Sequence, residues 1–328
     1  MTEHKETCPI CENGVLEKTS LTVNLFEALK RWETVLKHPF PHEVWTEYAD
    51  FEGTNLYLTE CAFCRFGRFV PTVTGSSGFY EAISETDYYN ADKWEFSRAI
   101  EDLRRIDAKR ILDVGCGSGV FLEFLRSRIP GVELYGYDLN DKLLEQLVGR
   151  GFGVLPSDPD RFDQMHSEQP LFDAICLLQV LEHTAEPVEF LKRFIKLLRP
   201  GGILIITTPN ASGPIRCFPD ALTEIPPHHV TRWTQDAYAA LLPRLGTTIK
   251  SFQIEPLPDY LWDGYLPAMW NDAIWPAQIF DPIARNRGLT AIGERAGFAA
   301  KAMKESGIRY LHGVPGHTIY VLARRNGY

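Results

Sequence analysis

The amino-acid sequence predicts an α/β protein: a doubly wound, mostly parallel seven-stranded sheet preceded by a small cysteine-bearing N-terminal domain. Three observations carry this. From residue 110 onward, strand-like apolar runs alternate with helical ones, the mark of a parallel sheet covered on both faces. The first of these strands, Arg110–Val114, runs into the glycine-rich turn Gly115-Cys116-Gly117-Ser118-Gly119, and a helix starts near Val120. Two Cys-x-x-Cys pairs, Cys8/Cys11 and Cys61/Cys64, both lie ahead of residue 75.

Bulk properties narrow the class. A chain of 328 residues holds one large domain or two modest ones, and 45% hydrophobic with 23% charged residues is ordinary for a soluble globular protein. No apolar run approaches the ~20 residues that cross a bilayer. The opening Met-Thr-Glu-His-Lys-Glu lacks the apolar core of a signal peptide, so a cytoplasmic location is expected. The net charge of −9 disfavours a generic nucleic-acid partner, because phosphate binding needs accumulated Lys and Arg. Arg104, Arg105, Lys109 and Arg110 read as a solvated face before the first strand.

Residues 1–74 are expected to form a separate zinc-binding module. Cys-x-x-Cys lets one tight turn aim two thiolates at one ion, and two such turns complete a tetrahedral four-sulfur site. Seven cysteines in an intracellular chain do not suggest a disulfide scaffold. Cys8, Cys11, Cys61 and Cys64 are therefore expected to hold a structural Zn2+, closed to substrate. Gly14 with Val15-Leu16 after the first pair, and a strand at 55–59 before the second, resemble a zinc ribbon. The intervening segment is longer than a ribbon's and carries an amphipathic helix, Leu25–Leu36. His4, His38 and His42 read as surface histidines. Cys116, Cys176 and Cys217 read as packing thiols.

Residues 75–108 are expected to link the module to the sheet. Helical spacing at Phe96, Ile100 and Leu103 predicts a helix over 94–106, and Tyr88 and Tyr89 are candidates for the cofactor entrance. The sheet domain, 109–328, follows in order. Helix 120–128 leads to strand 133–137, helix 142–150 and a short strand 152–155. Strand 172–178 and helix 187–198 precede a Pro200-Gly201-Gly202 turn and a fifth strand, 203–207. Strands at 248–255 and 318–323 close the sheet. The segment between them, about 257–316, is too long for a simple hairpin connection. It contains Trp262, Trp270 and Trp275 and is expected to cover a pocket, a partner or its own small core.

In such sheets ligands bind beyond the carboxyl ends of the strands, where strand order reverses. The chemistry-bearing residues lie at those ends. Asp113 stands two residues before Gly115. A carboxylate there repels a pyrophosphate but attracts an ammonium. Asp138 ends the second strand and suits ribose hydroxyls, with Leu139 against adenine. Asp158 follows the third strand, and Gln179 with Glu182 and His183 follows the fourth. After the fifth strand, Pro226-Pro227-His228-His229 forms a loop before a helix capped by Thr234 and reaching Leu241.

The Asp113-x-Gly115-x-Gly117-x-Gly119 pattern, with Asp138 and the Arg199-Pro200-Gly201-Gly202 turn, resembles class I S-adenosylmethionine (SAM) methyltransferases of Rossmann-like fold over roughly residues 80–255. The resemblance implies that Asp113, Gly115, Gly117, Gly119, Asp138, Leu139, Asp158 and Gln179 hold SAM. It also implies that S-adenosylhomocysteine is the product and that Glu182 and His183 lie under the cofactor. The 228–229 loop is similar to that of zinc-containing sugar and polysaccharide-pathway methyltransferases. His228 stands where that family has Glu, and Arg232-Trp233 departs from its aromatic pair. The expected reaction is in-line transfer of a methyl group to a small polar acceptor, a sugar or sugar nucleotide first. His229, with His228 beside it, is the candidate general base, since a neutral imidazole takes a hydroxyl proton near pH 7. No second metal-ligand cluster is expected near these loops, so metal-assisted catechol-type transfer is disfavoured. RNA methylation guided by the zinc module and a non-catalytic SAM-fold interaction role are the alternatives. RNA shift assays and SAM calorimetry discriminate them. The acceptor, the methylated atom and the oligomeric state are left open.

Overall fold

A computed structural model describes residues 6–84, 93–158, 171–266 and 297–327. Tyr88, Tyr89, Trp270, Trp275 and His4 lie outside the described residues. Two sheets organise the rest. The larger has seven strands in the order β11-β12-β9-β8-β5-β6-β7. These are β5 (Arg110–Val114), β6 (Glu133–Tyr137), β7 (Gly153–Val154), β8 (Phe172–Leu178), β9 (Leu198–Pro209), β11 (Thr247–Pro258) and β12 (Tyr310–Arg325). The pairs from β9 through β7 are parallel, and β12 is antiparallel to both β9 and β11. The doubly wound, mostly parallel seven-stranded sheet is therefore as expected.

The helices sit where apolar periodicity and caps put them. Helix α1 (Leu25–Leu36) starts at Asn24, whose side chain accepts from Glu27 N, and buries Leu25, Ala28, Leu29, Trp32 and Leu36. Short helices α2 (His42–Glu47) and α3 (Ser77–Ser84) follow. Helices α4 (Trp94–Arg105) and α5 (Val120–Arg128) flank β5, and α6 (Asp141–Gly149) is capped by Asn140. Helix α7 (Pro187–Ile195) begins with proline at its first turn and ends before the expected residue 198. Residues 199–202 do not end β9. They form an irregularity in its pairing with β8, between Phe172↔Leu198 and Ala174↔Ile203. Helix α8 (Gln235–Leu241) has Thr234 as its cap, accepting from Ala237 N, as the sequence predicts.

The smaller sheet runs β1-β2-β3-β4-β10: β1 (Glu6–Thr7), β2 (Val15–Asn24), β3 (Asn55–Cys61), β4 (Gly67–Val70) and β10 (Thr231–Arg232). Its last strand comes from the distant loop that carries the paired histidines, and β10 pairs with β4 as Thr231↔Arg68 and Arg232↔Gly67. The two units also share a core. Cys8, Ile10, Cys61, Cys64 and Phe66 pack with Trp233, Ala237, Tyr238 and Leu241, and Phe66 meets the Trp233 ring edge-on at 5.1 Å. Thr234 Oγ1 donates to the Cys64 carbonyl at 3.0 Å, and the Arg244 guanidinium donates to the Ile10 carbonyl. The N-terminal module is thus welded to the helix α8 side of the large sheet by apolar burial and backbone pairing.

The expected 257–316 insertion is shorter than that. β11 and β12 stay paired out to Pro258↔Tyr310, so the extra chain hangs from the tip of a long hairpin. Trp262 is buried there with Leu257, Tyr265, Leu266 and Ala300, a small core of its own. Among the described residues no helix is long and apolar enough to cross a membrane.

Candidate functional site

Strand β5 has β8 on one side and β6 on the other, so chain order reverses at β5. Its carboxyl end is the crevice where ligands bind in this architecture. Here the glycine turn is built from left-handed backbone: Gly115, Gly117 and Gly119 have φ of 71°, 50° and 79°. Space is as demanding as conformation at Gly115, where an added Cβ would lie 2.6 Å from Val180 Cγ2. Gly115 N and Cys116 N both donate to the Tyr137 carbonyl, which binds the turn to the end of β6.

Two carboxylates face this turn. Asp138 accepts from Gly117 N and Asn140 N, each at 2.9 Å, so the acid shapes the loop as well as lying at its mouth. Asp113 is buried, and its pKa is raised well above the ordinary range by burial and then by Asp138, with Lys93 opposing. A cation placed beside this buried carboxyl would favour its ionised form. Leu139 is 73% exposed at the end of β6, free for a planar ligand to cover, and Asp158 is exposed. Gln179 closes β8 with a left-handed φ of 59°, its backbone N–H donating to the Thr207 carbonyl and its amide reaching Glu95 at 3.5 Å. A non-glycine residue in that region is uncommon, and such strain collects at functional sites.

Beyond Gln179 the structure assembles a histidine cluster that spacing alone does not reveal. His183, His228 and His229 present ligand nitrogens within 4.8 Å of one another, a correction to the expectation that no second metal-ligand group stands near these loops. The paired histidines do not hang in an open loop. His228 and His229 are 1% and 6% exposed, stacked with ring centroids 4.4 Å apart, and Trp32 of α1 meets His228 edge-on at 5.7 Å. His183 Nδ1 donates to the His228 carbonyl at 2.7 Å, and the Tyr80 hydroxyl lies 2.9 Å from the same Nδ1 and donates to that carbonyl at 3.3 Å. His229 Nδ1 donates to Glu224 Oε2 at 3.2 Å, and His317 Nε2 lies 3.2 Å from Glu224 Oε1.

Electrostatics follow from burial and these partners. Burial first, and then His229, push His183 down to about 3, and burial with both neighbouring rings likewise lowers His228. Burial pushes Glu224 up, but His229 and His317 outweigh it and hold the carboxyl well below its usual range. His317 is raised despite burial because it shares that carboxylate. Glu182 is the opposite case. Burial and then Glu224 raise it well above the normal value, and neither of its oxygens has a hydrogen-bond partner among the described residues. Sequence reasoning missed Glu224, His317 and Tyr80, which reach the cluster from separate segments with no shared periodicity.

The four cysteines come together as expected. All are buried, with Cys8 Sγ to Cys64 Sγ and Cys11 Sγ to Cys61 Sγ both 3.6 Å. That separation is far from a disulfide's roughly 2.05 Å. It matches the edge of about 3.8 Å for a tetrahedron with metal–sulfur bonds near 2.3 Å. Gly14 N and Cys64 N point at the sulfurs of Cys11 and Cys61 at 3.3 and 3.5 Å, which suits thiolates.

Ubiquinone biosynthesis O-methyltransferase of Dictyostelium discoideum is 30% identical over 119 residues, covering 32% of this chain and 36% of that protein. The enzyme of the same name from Caulobacter sp. is 31% identical over 130 residues, covering 38% of this chain and 48% of its own length. The chain thus spans less than half the length of these curated relatives, which are named for ubiquinone biosynthesis rather than for sugar pathways. A SAM dependent methyltransferase from Archaeoglobus fulgidus superposes with a TM-score of 0.43 at 18% identity, covering 75% of this chain and 100% of that one. The methyltransferase-domain family model matches residues 86–262, more than half of the chain, and by that match this protein belongs to the methyltransferase family.

Proposed function

We propose that the chain is a SAM-dependent methyltransferase that methylates a hydroxyl of a small polar molecule. The observation that carries the reading is the left-handed glycine turn set between Asp113 and Asp138 at the sheet's reversal point. SAM, when bound, supplies an electrophilic methyl group whose in-line transfer to the acceptor oxygen breaks the carbon–sulfur bond and leaves S-adenosylhomocysteine.

The chain's own residues divide the remaining work. Gly115, Gly117 and Gly119 let backbone approach the nucleoside closely. Asp138 takes the ribose hydroxyls with lone pairs left over from Gly117 N and Asn140 N, and Leu139 covers adenine. Asp158 and Gln179 complete the cofactor contacts. Asp113 offsets the positive end of the methionine moiety, which in turn draws its buried carboxyl toward the ionised form. His229 takes the acceptor proton. Its Nδ1–H is spent on Glu224, so Nε2 carries the lone pair, and the carboxylate stabilises the imidazolium that forms. His228, stacked against it, fixes the ring plane. Enclosure by the N-terminal module keeps water from competing for the methyl group.

The O-methyltransferase names of the relatives support an oxygen acceptor. The sequence resemblance to sugar methyltransferases supports a sugar or sugar nucleotide, and a ring hydroxyl of a quinone precursor is the competing acceptor. Cys8, Cys11, Cys61 and Cys64 hold one structural Zn2+, and the fully thiolate set leaves no position for substrate.

Titration calorimetry with SAM and S-adenosylhomocysteine, followed by transfer of labelled methyl to panels of sugar nucleotides and dihydroxylated aromatic acids, tests the reading. Micromolar binding and label in an acceptor are expected. A folded, zinc-loaded sample that binds neither nucleoside overturns it.

A further inference from the structure

We propose that His183, His228 and His229 form a second metal site, separate from the cysteine centre, for a first-row transition ion of which Zn2+ is the leading candidate. Three observations combine. The ligand nitrogens of the three rings lie within 4.8 Å of one another. An ion about 2.1 Å from each nitrogen sets them about 3.4 Å apart, so modest ring rotations close the set. Second, the partners dictate where the protons sit. A carbonyl and a carboxylate only accept, so His183 Nδ1, 2.7 Å from the His228 carbonyl and 2.9 Å from the Tyr80 hydroxyl, and His229 Nδ1 carry hydrogen, which leaves lone pairs on the Nε2 atoms of those two rings. An outer partner on the far nitrogen, often a carboxylate, is how metal-binding histidines are oriented. Glu224 is itself clamped from both sides by His229 and His317.

Third, a buried carboxyl with unpartnered oxygens stands beside the set. Glu182 adjoins His183 in sequence, is 1% exposed, and has neither oxygen hydrogen-bonded among the described residues. Imidazole donors select zinc, copper, iron or nickel over magnesium or calcium. Three protein ligands leave a position open, as reactive rather than structural sites do. His183 is the partly exposed member of the set, which gives that position a way in.

The role of the ion rests on the methyl-transfer reading, although its binding does not. A hydroxyl bound at the open position would lose its proton more readily, as metal-bound water does. With the ion bound, His229 Nε2 would be a ligand and the ion would take over acidification of the acceptor hydroxyl, so His229 serves as the base of the proposed function only in the ion-free protein.

The test uses the full chain with its cysteine centre filled, titrated with Zn2+ or Co2+, and read by metal content and visible absorption. Two ions per chain are expected, with the second Co2+ free of thiolate charge-transfer bands. His183→Gln and His228→Gln should each reduce the count to one. Glu224→Gln, which only orients a ligand, should retain the site with affinity weakened roughly 10- to 100-fold. One ion per chain at saturation, or a second ion that persists in both histidine variants, overturns the proposal. Should His228→Gln fail to fold, His183→Gln decides, its ring being partly exposed. SAM calorimetry on the same samples keeps the readings apart. SAM binding with one ion sinks only this site, and two ions without SAM binding sink only the methyl-transfer reading.

Discussion

At Gly115 both conformation and space are specified: φ is 71°, and Val180 Cγ2 would be 2.6 Å from a new Cβ. Gly115→Ala is expected to cost about 1–2 kcal/mol for the left-handed backbone and a further ~1–3 kcal/mol for overpacking, measured by denaturant unfolding. Asp138 has two duties. Asp138→Ala should weaken SAM binding by about 2 kcal/mol or more, since hydrogen bonds to an ionised group are lost, and calorimetry reads the change. Unaltered affinity would remove Asp138 from the ribose site. His229→Ala should lower turnover by about 10²–10⁴-fold with SAM affinity retained, whether the ring acts as base or as ligand. Full activity in labelled-methyl assays would exclude both roles. The placement of Gly115 and Asp138 was legible in the sequence because glycine at a strand-to-helix turn and an acid at a strand end have local causes. Glu224 was not legible: its partner His229 lies five residues on, and their meeting depends on how the loop turns.

At the scale of elements, Asp173 is the staple at the amino end of β8. It accepts from Lys109 N and Arg110 N at 2.8 and 2.9 Å and pairs with Arg199, tying together the starts of β5, β8 and β9. Burial pushes its pKa up, but the two backbone donors and the guanidinium outweigh it and hold it below the usual value. A carboxyl depressed in the folded state contributes stability above its unfolded pKa of about 3.9 and loses it as pH falls through the folded value. Asp173→Ala should therefore destabilise by about 1–2 kcal/mol at neutral pH. In urea melts the gap to the parent chain should close as pH drops below about 4. A gap that stays constant down to pH 2.5 would contradict the assignment. Periodicity located β5, β6, β8, α1 and α5 to the residue, because each has a strong apolar face and clear ends. It misjudged β9 and the β11–β12 hairpin, where pairing with neighbouring strands carries the ladder through Pro200-Gly201-Gly202 and out to Tyr310.

For the whole molecule, the smaller sheet joins the cysteine centre to the histidine loop. β10, two residues past His229, pairs with β4, and β4 begins three residues past Cys64. Phe69 N donates to the Val230 carbonyl at 3.0 Å, and Val230 N donates to the Glu182 carbonyl at 2.8 Å. One hydrogen-bonded path therefore runs from the cysteine module through the histidine loop to Glu182 in the turn after β8. Cys61→Ser should remove the ion, lower the midpoint of thermal unfolding, and reduce turnover through this path even where SAM still binds. Metal analysis and melting curves read the first two effects. A variant that loses zinc but keeps full stability and turnover would show the module to be a bystander.

The sequence by itself determined what local chemistry can specify: the alternation that makes a doubly wound sheet, the glycine turn with its flanking acids, and the paired cysteines. Each rests on residues close in the chain, where period, φ preference and ligand spacing act without help. Only the tertiary structure decided that His183, His228, His229, Glu224 and His317 share one largely buried site, with Trp32 of α1 against His228. Those contacts join segments far apart in the chain, and they form only once sheet order and the shared core have brought the segments together.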